Sequence, residues 1–175
     1  ARDEAYKIEL LMKQAKITPA DRHVVSPALA LSEEIGAPAA ALELPDGKIV
    51  VGKTKELLGA SAAVLLNAVK ELGGIDHDLD LISPESIAPI QKLKVNYLGS
   101  VNPRLHTDEV LIALSICAAT DENAQKALDQ LPKLRGCQVH TSVMLSDVDL
   151  KIFKKLGIDL TCEPVSEEKK IGQTI

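Results

Sequence analysis

Arg104, His106, Asp108 and Glu109 form the densest polar cluster in the chain, in the run R-L-H-T-D-E. The run follows Asn102-Pro103 and leads into the apolar stretch from Val110, so it sits where a helix starts. Helix starts expose N–H groups and a positive dipole end, and they attract anions. An arginine and a histidine there could hold a phosphate or a carboxylate, with His106 as a candidate catalytic acid or base near neutral pH. The plainer reading is local: Thr107 and Asp108 cap the helix and His106 packs.

A second candidate is Gly47 to Thr54, G-K-I-V-V-G-K-T, which fits the phosphate-cradle pattern G-x-x-x-x-G-K-[S/T]. A cradle needs a compact loop whose successive N–H groups face one point. Ile49, Val50 and Val51 are instead β-branched and favour extended chain. With Ala39 to Leu44 upstream and Pro45-Asp46-Gly47 between, the pattern reads as a β-hairpin. In the cradle reading the chain binds a nucleoside triphosphate; in the hairpin reading Gly47 makes the turn and Lys48 to Val51 form the return strand. Cys137 and His140 stand three apart on a predicted strand, face opposite sides and cannot easily share a metal ion. His23 and His77 are isolated. No metal set, no G-x-S-x-G elbow and no assembled Ser–His–Asp or Cys–His set is evident, and no cofactor is called for.

The elements that must position these residues follow from periodicity and punctuation. A helix covers 1–16, with Ile8, Leu11, Met12 and Ala15 on one stripe. Ser26-Pro27 starts a second helix and Gly36 ends it. The hairpin over 39–52 is followed by a helix over 54–72, rich in Gly59, Ala60, Ser61, Ala62 and Ala63 and so suited to lie close against a sheet. Then come a short strand at 80–82, a helix begun by Ser83-Pro84, a buried helix at 110–119, a helix at 122–131, a strand at 138–145, a helix capped by Ser146-Asp147, and a strand at 158–162. The order predicts an α/β fold: a three-layer α/β/α sandwich with a mixed sheet of about five strands, largely parallel with an antiparallel edge. Residues 1–36 form a helical lead-in that ends a preceding domain, 37–164 the α/β domain, and 165–175 a flexible tail.

The chain has 175 residues, enough to bury about 70% of its unfolded surface. Aromatic residues make up 2%, which leaves little for base stacking, and the net charge of −5 disfavours nucleic acid and anionic membrane. Three cysteines, an odd count at wide spacing, fit a reducing cytoplasm better than a disulfide framework. There is no signal peptide or membrane-length apolar run. The first residue is Ala1, on a helix already under way, which suggests a fragment of a longer protein.

The element order resembles the cytidine-deaminase-like architecture. In that fold a hairpin leads into one helix and the next strand into a second, and both helix starts face a zinc-bound water. The resemblance implies that Thr54, Ser61, Ser83 and Glu85 converge at the two helix starts, with Lys53 adding positive charge for a small anionic ligand. The zinc motifs, His-x-Glu and Pro-Cys-x-x-Cys, are absent: the first position reads Lys53-Thr54-Lys55-Glu56 and the second Ser83-Pro84-Glu85-Ser86-Ile87-Ala88.

Longer runs resemble one bacterial family, the uncharacterised family of unknown function 1846. They include Ala40 to Gly47, Tyr97-Leu98-Gly99-Ser100, Asn102 to Ser115, Leu131 to Cys137 and Leu160 to Pro164. The likeness spans 38–164 and implies the C-terminal part of a longer cytoplasmic protein. Members are sometimes labelled ATP-dependent peptidases, and the family carries no established activity. The expectation is a ligand-binding or oligomerisation module without zinc deaminase chemistry, partnered by further copies and by the remainder of the protein. The alternative is an enzyme domain acting on a nucleotide or phosphorylated metabolite, with Lys53, Arg104 and His106 on the anion.

Overall fold

Pro45-Asp46-Gly47 folds the chain back on itself. Gly47 takes φ +87°, a left-handed conformation that costs a residue without Cβ little. Its N–H donates to the Leu44 carbonyl at 2.9 Å, and the Lys48 N–H donates to Asp46 Oδ1 at 3.0 Å. Strands β1 (Ala39–Glu43) and β2 (Ile49–Lys53) leave this turn as an antiparallel pair. The hairpin reading of Gly47 to Thr54 therefore holds: these residues are turn and ladder, and their N–H groups do not converge on a phosphate.

The computed structural model describes residues 1–167. Among them the sheet has four strands in the order β2-β1-β3-β4, with β3 at Gln138–Thr141 and β4 at Asp159–Cys162. β1 pairs antiparallel with both β2 and β3, and β3 pairs parallel with β4. Three strands thus run one way, and the opposing strand is β1, inside the sheet rather than at the expected edge. Seven α-helices accompany the sheet: α1 (Arg2–Gln14), α2 (Val25–Ile35), α3 (Ala60–Leu72), α4 (Pro84–Lys92), α5 (Thr107–Ala118), α6 (Glu122–Leu128) and α7 (Asp147–Leu156).

Helices cover both faces of the sheet, so β1 is buried from Ala39 to Leu42. Ala41 meets Val24 and Ala28 beside α2, while Ala40, Leu42 and Val139 meet the larger core with α3, α5, α6 and α7. Closest approach is at Gly52, where an added Cβ would lie 2.3 Å from the Val64 backbone nitrogen. The small residues of α3 serve this contact within the chain, so they give no argument for an oligomer. Asn67 of α3 also donates to the Val51 carbonyl at 2.8 Å, which occupies part of the exposed edge of β2.

Three expectations change. The sheet has four strands, not five, because 80–82 joins no ladder: Leu81 and Ile82 are buried as core side chains, but the run is too short to pair. The helix expected from residue 54 begins at Ala60, because Leu58 is held in a bridge to Leu105 and the Lys55 N–H turns back to the Leu58 carbonyl. Helix α2 starts two residues early, with buried Val24 and Val25 seating its first turn on the domain and Pro27 inside it. Of the expected flexible tail, Val165 is tied in by the Met144 N–H at 2.8 Å. Residues 168–175 lie outside the described part.

Candidate functional site

Because β2 and β3 run the same way, the helices that follow them, α3 and α7, begin at the same end of the sheet. Open α/β sheets bind ligands at that end. A third helix start is brought there by the Leu58–Leu105 bridge: the Leu105 N–H donates to the Leu57 carbonyl at 3.0 Å, and Arg104 Nε donates to the Lys55 carbonyl at 2.7 Å. Loop 102–106 and the first turn of α5 therefore stand beside the first turn of α3.

Asp149, in the first turn of α7, joins the three. Its Oδ1 accepts from the Thr107 N–H at 3.0 Å and from Thr107 Oγ1 at 2.6 Å, and its Oδ2 accepts from Ser61 Oγ at 3.3 Å. His106 Nδ1 lies 3.7 Å from Oδ2, an ion-pair distance rather than a close hydrogen bond. Ser146 caps α7 by accepting the Asp149 N–H at 3.3 Å. The carboxylate stands between Ser61 and His106, so these residues do not form a nucleophile–base–acid relay, in which the histidine must be central.

The electrostatics match this geometry. Contact with Asp149 raises the His106 pKa above its ordinary 6.5, against burial and the nearby Lys94 charge. Burial pushes the Asp149 carboxyl up, but His106 and the two Thr107 bonds together outweigh it and hold the pKa below 3.8. Between those values the pair is charged, histidine plus and carboxylate minus. Beside it lies a pocket of about 40 Å³ bordered by Gly59, Ser61, Arg104, His106, Asp149 and Glu167. That is room for a few waters or one small charged group.

Of the expected site residues, the structure brings together Ser61, Arg104 and His106. Thr54 stands just behind, its Oγ1 accepting the Ala60 N–H at 3.2 Å. Glu109 supports the loop: its Oε1 accepts the His106 N–H at 2.8 Å and Lys94 Nζ at 2.7 Å. Asp108, in the same turn, borders neither this pocket nor the larger cleft. Ser83 and Glu85 do not converge here, because without a strand at 80–82 nothing delivers α4 to this end of the sheet. Ser83 caps α4 through the Ser86 N–H at 3.2 Å, and Glu85 is exposed. Lys53 lines the separate, larger cleft of about 790 Å³ with Lys55, Lys70 and apolar Leu57, Leu66 and Leu81. No group of three or more His, Cys, Asp or Glu among the described residues is placed to hold a metal. His140 and Cys137 serve separate ends: the His140 ring meets Thr161 Oγ1 at 2.7 Å and Glu163 Oε1 at 3.0 Å, and the buried Cys137 thiol faces the Lys133 carbonyl.

Residues 20–171 match the domain of unknown function DUF1846, C-terminal. The chain belongs to the DUF1846 family. It is 57% identical over 165 residues to a UPF0371 protein of Corynebacterium glutamicum, covering 94% of this chain and 33% of that protein. A UPF0371 protein of Corynebacterium efficiens is 58% identical and one of Streptococcus pyogenes 50% identical, with the same coverage of each. The chain thus spans about a third of the length of the curated relatives it matches. Within this DUF1846 domain, sequence reasoning missed Asp149. The available signal was its place three residues after the Ser146 cap, the spacing of a capping box. Its side chain reaches across to α5 instead of back to its own helix.

Proposed function

We propose that this domain is a binding module for a small ligand with an anionic group, a phosphate or carboxylate, seated where the starts of α3, α5 and α7 meet. The observation that carries the reading is His106, its pKa raised by Asp149, placed beside Arg104 on one pocket. Arg104 supplies N–H donors in a planar fork suited to such an anion, and Ser61 supplies a hydroxyl. The pocket takes the charged group, and the rest of the ligand lies outside it.

The fold reading that supports this is deaminase-like: the hairpin leads into α3 and the next sheet strand, β3, leads into α7. The second helix start then reads Ser146-Asp147-Val148-Asp149, a carboxylate device with no thiol. Three free cysteines support a reducing cytoplasm as its location, and no helix among the described residues is long and apolar enough to cross a membrane. A second reading, an enzyme domain acting on a nucleotide or other phosphorylated metabolite, is favoured by one observation. A histidine coupled to a buried carboxylate can take and return a proton.

Isothermal titration with inorganic phosphate tests the proposal. Arg104→Ala abolishes the binding heat while circular dichroism stays native. Glu167→Gln, which removes a carboxylate from the same pocket, tightens binding. No phosphate binding by the native chain, or equal binding by Arg104→Ala, overturns the reading.

A further inference from the structure

Helix α1 buries nothing on the domain it precedes. None of its 13 residues is buried, and Tyr6, Ile8 and Leu11 are 62%, 57% and 63% exposed. At about 100° per residue, Ile8, Leu11 and Met12 form one apolar stripe, while Tyr6 and Leu10 lie on nearly the opposite side among Arg2, Asp3 and Lys13. An amphipathic helix turns such a stripe onto whatever it packs against. Here that is not this domain.

Two further observations say what encloses it. The DUF1846 C-terminal domain match begins at residue 20, so α1 lies on the upstream side of the domain boundary. The relatives are about three times as long as this chain. We infer that α1 is a docking element for the part of the full-length polypeptide preceding this domain, which covers its apolar stripe. Covalent attachment also holds the upstream partner at high effective concentration.

Hydrogen–deuterium exchange separates the cases. In the 175-residue chain the α1 amides exchange freely; in a polypeptide of the relatives' full length that carries this chain, they exchange at least about 100-fold more slowly. Leu11→Lys in the long polypeptide removes that protection, while the amides of β1 and β3 stay protected. Exchange that is equally fast in both contexts overturns the inference. So does protection of α1 in the short chain together with a dimer by light scattering, which assigns the face to a second copy.

Discussion

Asp149→Ala is expected to lower the unfolding free energy by about 3 kcal/mol, the range for removing one member of a buried charged hydrogen-bond network. The side chain is 5% exposed as a residue and holds three helix starts together. Its loss leaves the Thr107 N–H and hydroxyl and the Ser61 hydroxyl without their shared acceptor. The His106 ring also loses its carboxylate neighbour. Urea denaturation at pH 7 measures the change, and a loss below about 1 kcal/mol would mean that other contacts hold the helix starts. The pH dependence carries a sign. The folded pKa of Asp149 is lowered, so its contribution is present above the unfolded value and is lost as pH falls through the folded one. The folded pKa of His106 is raised, so its contribution is present below 6.5 and is lost as pH rises through the folded value. Native stability therefore has a plateau between the two, and Asp149→Ala flattens both shoulders.

Gly52→Ala is the second large effect. The new Cβ would lie 2.3 Å from the Val64 nitrogen, 2.7 Å from Val64 Cα and 2.8 Å from the Ala60 carbonyl oxygen. All three are backbone atoms, so no side chain can swing away and strand β2 must move off α3. Such overpacking costs about 3 kcal/mol or more. Gly59→Ala is the control: an added Cβ there meets nothing within 4 Å and its φ is −71°, so the change stays within about 0.5 kcal/mol. Thermal unfolding of the two variants decides the role of the G-x-x-x-x-G-K-T pattern. A phosphate cradle would tolerate Gly52→Ala in the absence of nucleotide; a packed strand does not.

The hairpin was legible because a Pro-Asp-Gly turn between β-branched and apolar runs is local chemistry. The Ser83 and Ser146 caps were legible for the same reason. The strand at 80–82 was misjudged because a three-residue apolar run looks the same whether its side chains fill a core or its backbone joins a ladder. That error brought Ser83 and Glu85 of α4 to an end of the sheet where the structure has Ser146 and Asp149 of α7. Arg104 and His106 could be chosen from sequence, since charge density at a helix start is visible there. Ser61 could be chosen too, but Asp149 could not: it is 88 residues from Ser61 and is joined to it only by the common direction of β2 and β3. The bridge from Leu58 to Leu105 is likewise a long-range pairing with no local signature.

The most direct measurement is an NMR pH titration of the His106 imidazole, with and without inorganic phosphate, in the native chain and in Arg104→Ala. The expected result is a His106 pKa above 6.5 that phosphate raises further, with the phosphate effect lost in Arg104→Ala. A His106 pKa at or below 6.5, or one that phosphate leaves unmoved in the native chain, contradicts an anion site at the meeting of the three helix starts.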